Sequence, residues 1–125
     1  MVTAQRIRVL LVDDHVMFRQ GLRTLLQCYP DIDVVDEAGD GAEAVSKVAA
    51  VQPAVVVMDI SMPKMDGVAA TRLLKSRHSQ VTVVGLSVTG VAYQIEAMLK
   101  AGAVKVVTKE RAVDDLYDSI KKALS

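Results

Sequence analysis

Five short apolar runs rich in Val, Ile and Leu alternate along this chain with segments of helical periodicity, and only a few residues connect each to the next. The runs fall at 7–12, 32–35, 55–58, 81–86 and 104–108. Between and after them apolar residues recur at spacings of three and four. Phe18, Leu22, Leu25, Leu26 and Tyr29 mark the first helix, and Ala44, Val45, Val48 and Ala49 the second. A third fades near Arg77 and His78. Val91, Ile95, Met98 and Leu99 mark a fourth that closes at Ala101 and Gly102, and Val113, Leu116, Tyr117, Ile120 and Leu124 mark the fifth. Strict βα alternation with short links leaves one economical solution, an open parallel sheet with helices on both faces. The run 55–58 is apolar throughout, as expected of a strand covered on both sides. A chain of 125 residues is one domain by length, spanning 1–125.

Ligands in such sheets sit beyond the carboxyl ends of the strands. Those ends carry Asp13 and Asp14 after the first run, Asp59 after the third, Ser87 after the fourth and Lys109 after the fifth. Gathered at one edge, the three carboxylates repel by ~4 kcal/mol per pair at ~4 Å and an effective dielectric of ~20. Stability alone does not assemble such a cluster, and a divalent cation among the acids removes the repulsion.

Lys and Arg together number 15, as do Asp and Glu, which argues against nucleic acid binding driven by bulk charge. Cys28 is the single cysteine, so no internal disulfide or thiolate metal site is available, and a buried, reduced thiol is expected. No apolar stretch approaches the ~20 residues of a membrane span, and residues 1–6 lack the apolar core of a secretory signal. A soluble, cytoplasmic chain without membrane contact is the expectation. The abrupt stop at Ser125 suits a domain cut from a longer chain as well as one that stands alone.

Four segments carry a family likeness: Val-Leu-Leu-Val-Asp-Asp-His (9–15), Met-Asp-Ile-Ser-Met-Pro-Lys-Met-Asp-Gly (58–67), Gly-Leu-Ser (85–87) and Val-Thr-Lys (107–109). In this order the chain resembles, over essentially its whole length, the receiver domain of two-component response regulators. Phe-Arg-Gln-Gly-Leu-Arg (18–23) adds a likeness to the NarL/FixJ/LuxR-type subgroup, whose members usually carry a DNA-binding domain. The resemblance implies an α/β, flavodoxin/CheY-like doubly wound sheet of five parallel strands, order 2-1-3-4-5, with five helices. It implies that Asp59 is the phosphoacceptor, charged by a sensor histidine kinase in a Mg²⁺-dependent step. It assigns Mg²⁺ to Asp13, Asp14, Asp59 and the backbone carbonyl of Ser61, and phosphoryl contacts to Lys109 and Ser87. A homodimer and a DNA-binding output domain outside this segment are the further partners it implies, with no direct nucleic acid contact by these residues.

The chain departs from the family at Val106, where an aromatic usually reports phosphorylation, at Glu110, often proline and often preceded by a cis bond, and at Lys105, often glycine. Two alternatives stay open. One is a phosphohydrolase working through an aspartyl-phosphate, which needs a second carboxylate two residues after the nucleophile, where this chain has Ser61. The other is a degenerate receiver that only binds partners. Asp66 reads as a helix cap, His15 as structural or partner-facing, His78 as an exposed loop residue, and the six methionines as core filler. Val16, Arg19, Arg23, Asp118, Lys121 and Lys122 read as solvated helix faces.

Overall fold

The structure is a computed structural model and describes residues 5–88 and 91–125. Strands β1 (Ile7–Val12), β2 (Ile32–Ala38), β3 (Val55–Asp59), β4 (Thr82–Ser87) and β5 (Lys105–Thr108) form one parallel sheet in the order β2-β1-β3-β4-β5. Helices α1 (Val16–Gln27), α2 (Gly41–Val51), α3 (Gly67–Arg77), α4 (Ala92–Ala101) and α5 (Ala112–Leu124) connect and follow them. The expected fold class and strand order are the ones observed.

Alternation along each strand divides the interior into two cores. Val9 and Leu11 of β1 and Val55 and Val57 of β3 meet Leu22 and Leu26 of α1 and Leu116 and Ile120 of α5. Leu10, Val12, Val56 and Met58 point the other way, onto Ala44 and Val48 of α2, Ala70 and Leu74 of α3 and Met98 of α4. The central strands are apolar throughout because each face has its own helical layer.

The edge strand β2 runs three residues past the expected end at Val35, through Asp36 and Glu37 to Ala38. Its pairing slips once: Val9 faces Val34 but Leu10 faces Asp36, which leaves Val35 as the extra residue of a bulge. The acids Asp36 and Glu37 are tolerated in the strand because helices supply their partners. Lys47 approaches Asp36 at 3.2 Å, and Arg19 and Arg23 bind Glu37.

Several expectations fail, chiefly through the ~100° step between helical residues. Ala112, Leu116, Ser119 and Ile120 form the buried stripe of α5, so Val113, one step off it, lies in solvent, as does Leu124 at the end. Leu99 of α4 is exposed beside buried Met98. Cys28, two residues past buried Leu26, is exposed and not buried, with its thiol donating to the Thr24 carbonyl at 3.4 Å. Met17 projects into solvent while Met58 and Met98 fill the core. His78 is half-buried and ends α3, its amide donating to the Leu74 carbonyl. Lys121 is not merely solvated: it binds Asp31, which also accepts from Tyr117, whose ring stacks on Tyr29 at 3.7 Å between centroids. No helix among the described residues is long and apolar enough to cross a membrane.

Gly102 ends α4 at φ +125°, a conformation that suits glycine. Gly67 is needed for space. A Cβ there would lie 2.1 Å from the Asp59 carbonyl oxygen and 2.8 Å from the Ile60 Cα, both backbone atoms. Gly67→Ala is expected to cost about 1–3 kcal/mol in urea unfolding, because the start of α3 must move off the end of β3. An unchanged midpoint would show that this junction gives way freely.

Candidate metal centre at the carboxyl edge of the sheet

Parallel register delivers the site. Val12 pairs with Met58, Asp59 with Leu86 and Ser87 with Thr108, so the residues at or just past the ends of β1, β3, β4 and β5 share one edge. Asp13, Asp59 and Ser87 are each 1% exposed, while Asp14 lies nearer the surface. Lys109 opens a short 3-10 turn after β5 and reaches inward, its Nζ 2.7 Å from Asp13 Oδ2 and 3.4 Å from Asp59 Oδ2. The ammonium also lies 4.8 Å from the centroid of the Phe18 ring, within cation–π range. The Lys109–Glu110 peptide bond is trans.

Both Asp59 carboxylate oxygens and Asp13 Oδ2 are buried without a hydrogen-bond partner among the described residues. The contact of Asp13 Oδ2 with Lys109 is thus an ion pair by distance without hydrogen-bond alignment. Buried carboxylate oxygens normally have donors, so an orphaned pair marks a place meant for something else. Burial, reinforced by the charge of Asp13 and opposed by Lys109, pushes the Asp59 carboxyl up to about 7. Carboxylate oxygens of Asp13, Asp14 and Asp59 and a ring nitrogen of His15 all lie within 4.8 Å of one another.

Ser61 follows Asp59 by two residues, in an exposed loop. That loop is fastened where the Gly67 amide donates to the Ile60 carbonyl at 2.7 Å and the Gly41 amide to the Met65 carbonyl at 3.0 Å. Asp66 caps α3, accepting from the Ala69 amide at 2.8 Å, and stays out of the cluster. Val106 lies away from the acids. It is half-buried in the core under α4, opposite Gly85, where any added Cβ would come within 3.2 Å of it.

Two features escape a reading by motif. His15 lies against the acids, its Nδ1 3.0 Å from Asp13 Oδ1, 3.4 Å from Asp14 Oδ1 and 3.0 Å from Lys109 Nζ. Its position directly after the acid pair was the available signal. Arg19 and Arg23, expected as solvated charges, converge on Glu37. Arg19 Nη1 also donates to the Asp13 carbonyl at 2.5 Å, while the Asp13 amide donates to Ala38 at 3.0 Å. Asp13 is therefore held by its backbone on both sides. The signal here was an acid, Glu37, one residue from the buried end of an edge strand.

Two outcomes follow from this geometry. Folded Asp59 keeps a proton that the unfolded chain has released between about pH 4 and 7, so its ionisation makes metal-free stability fall as pH rises through that window. In metal-free buffer at pH 8, Asp59→Asn should be more stable than wild type by about 1–3 kcal/mol, a gap that closes below about pH 4. Denaturant unfolding across pH measures it, and a gap independent of pH would contradict the assigned cause. Arg19→Gln should lose about 1–3 kcal/mol by the same assay, since it frees the Asp13 carbonyl and strands Glu37. A neutral result would mean that the clamp holds nothing.

Comparison with known proteins gives a consistent picture. Residues 9–121 match the family described as the response regulator receiver domain. The transcriptional regulatory protein DegU of Brevibacillus brevis is 38% identical over 120 residues, 96% of this chain and 51% of that protein. LiaR of Bacillus subtilis is 36% identical over 117 residues, 94% of this chain and 56% of that protein. The chain thus spans about half the length of these curated relatives. Among solved structures, the signal receiver domain of NarL from Mycobacterium tuberculosis superposes with a TM-score of 0.92 at 28% identity, covering 98% of this chain and 99% of that one. The response regulator domain of CheB from Thermotoga maritima gives 0.87 at 34% identity, covering 96% and 97%.

Proposed function

The chain belongs to the response regulator receiver domain family of two-component systems, with NarL/LuxR-type regulators among its relatives, and we propose that Asp59 is its phosphoacceptor. The observation that carries this reading is a buried carboxylate at a strand end, neither oxygen hydrogen-bonded among the described residues, with an ammonium 3.4 Å from one of them. An oxygen of Asp59 forms the bond to phosphorus as the bond from phosphorus to the donor's leaving group breaks, leaving an acyl phosphate. The donor is a sensor histidine kinase.

The orphaned oxygens and the all-carboxylate core of the cluster fit Mg²⁺, a hard ion that takes few protein ligands. Asp13, Asp14, Asp59 and the backbone carbonyl of Ser61 would hold it. When bound, the ion neutralises the acids and supplies positive charge against phosphoryl oxygens. Lys109 provides a second, point-like charge for one phosphoryl oxygen, and the Ser87 hydroxyl donates to another. Asp59 must be ionised to attack, and positive charge beside it favours that form.

The new charge orders its surroundings and biases a two-state surface around α4, β5 and α5. Val106, wedged between Gly85 and the core under α4, carries this by packing and has no ring to rotate. The role is that of a switch and not of a turnover enzyme, because Ser61 stands where a phosphohydrolase places its acid/base carboxylate. Residues 1–125 act as one receiver unit in the cytoplasm, coupled to a second copy and to a DNA-binding output domain elsewhere in the protein.

Incubation with acetyl phosphate and Mg²⁺ should add one phosphoryl group by intact mass, and chelator or Asp59→Asn should abolish it. Lys109→Ala should keep the fold but lose the response of α4 resonances to the donor. An adduct that persists in Asp59→Asn would place the acceptor elsewhere.

A further inference from the structure

The ring of His15 stands in a conflict that protein groups alone do not resolve. Its Nδ1 lies 3.0 Å from Lys109 Nζ, an ammonium that only donates and therefore needs a lone pair on Nδ1. The same nitrogen lies 3.0 Å from Asp13 Oδ1 and 3.4 Å from Asp14 Oδ1, carboxylate oxygens that only accept and therefore need a proton on Nδ1. One ring nitrogen satisfies one demand and fails the other. Asp13 Oδ1 already receives the His15 backbone amide at 2.8 Å, so it does not depend on the ring. The second, independent observation is the buried Asp59 carboxylate, 1% exposed, whose oxygens have no hydrogen-bond partner among the described residues, Oδ2 lying 4.0 Å from Nδ1 and 3.4 Å from Lys109 Nζ. A cation among Asp13, Asp14, Asp59 and His15 takes the lone pair and the orphaned oxygens together.

We infer that His15 is a nitrogen ligand in this centre and makes it a site for late first-row divalent ions, Ni²⁺ and Co²⁺ above all, in competition with Mg²⁺. The inference rests on the metal reading of the acid cluster and adds the selectivity of that cluster. Mg²⁺ prefers oxygen and keeps its waters, so an imidazole adds little to its binding. Affinity of a site with nitrogen and oxygen donors climbs from Mn²⁺ through Co²⁺ to Ni²⁺, and imidazole suits the later ions. The His15 side chain is 59% exposed, so the ring can swing onto an entering ion without disturbing the core. Occupancy by such an ion would set which metal accompanies the chemistry at Asp59.

The test uses the full chain, stripped of metal, in a Cys28→Ser background, because the exposed thiol is itself a soft ligand. Calorimetric titration should show Ni²⁺ binding at least about tenfold weaker in His15→Ala than in the parent, with Mg²⁺ affinity changed by less than about twofold. With Co²⁺, the exchangeable imidazole proton of His15 should shift far downfield by paramagnetic NMR. The signal should persist in His78→Ala, which removes the other histidine, and vanish in His15→Ala. Equal Ni²⁺ affinity in parent and His15→Ala, or loss only in His78→Ala, would overturn the inference. Ni²⁺ bound through His15 with no Mg²⁺ binding would uphold it and sink the Mg²⁺ reading, and binding of neither ion would sink both. Melting curves of the apo variants confirm that each is folded.

Discussion

Two carboxylates with almost no access to solvent, Asp13 and Asp59, set the terms for this molecule. Burying like charges side by side is costly in any interior, and the protein offsets it only in part, with the ammonium of Lys109 and the ring of Lys109's neighbour His15. The sheet places the acids and the helices keep them there. Parallel register aligns the strand ends, Gly67 lets α3 close onto β3, and Arg19 fixes the backbone of Asp13 from α1. The apolar layers around the strands supply the stability that lets such an edge exist.

The strand order explains why these residues meet although they lie far apart in the chain. β1 and β3 are neighbours at the centre of the sheet, and β4 and β5 continue on one side. Every side chain used at the edge comes from this half, whereas β2, on the other flank, contributes support through Glu37 and the Ala38 carbonyl. Positioning and chemistry are thus separated across the sheet. Such division is common in doubly wound folds, where a rigid scaffold presents functional groups on the connections beyond the strands.

Much of this was legible from residue order. Apolar runs closed by Asp13, Asp59, Ser87 and Lys109 have a period and a punctuation that only one architecture satisfies, and the structure brings those residues together. What stayed hidden has a common cause. Burial of Cys28, Leu99 and Val113 depends on helical phase relative to a layer whose position is not written locally, and Leu124 is exposed because α5 ends there. The extension of β2 through Asp36 and Glu37 depends on cations from α1 and α2, contributed from elsewhere in the chain. His15 and Arg19 were visible as residues, but their roles arise from distances that spacing does not specify.

The slip at Val35 reaches beyond local pairing. A smooth outer strand would offer a ladder of free amides and carbonyls to any other extended chain. Here the ladder is interrupted by an extra residue, twisted, and lined by half-buried acids already engaged by α1 and α2. The flank is a poor template for an intruding strand, which disfavours edge-to-edge aggregation.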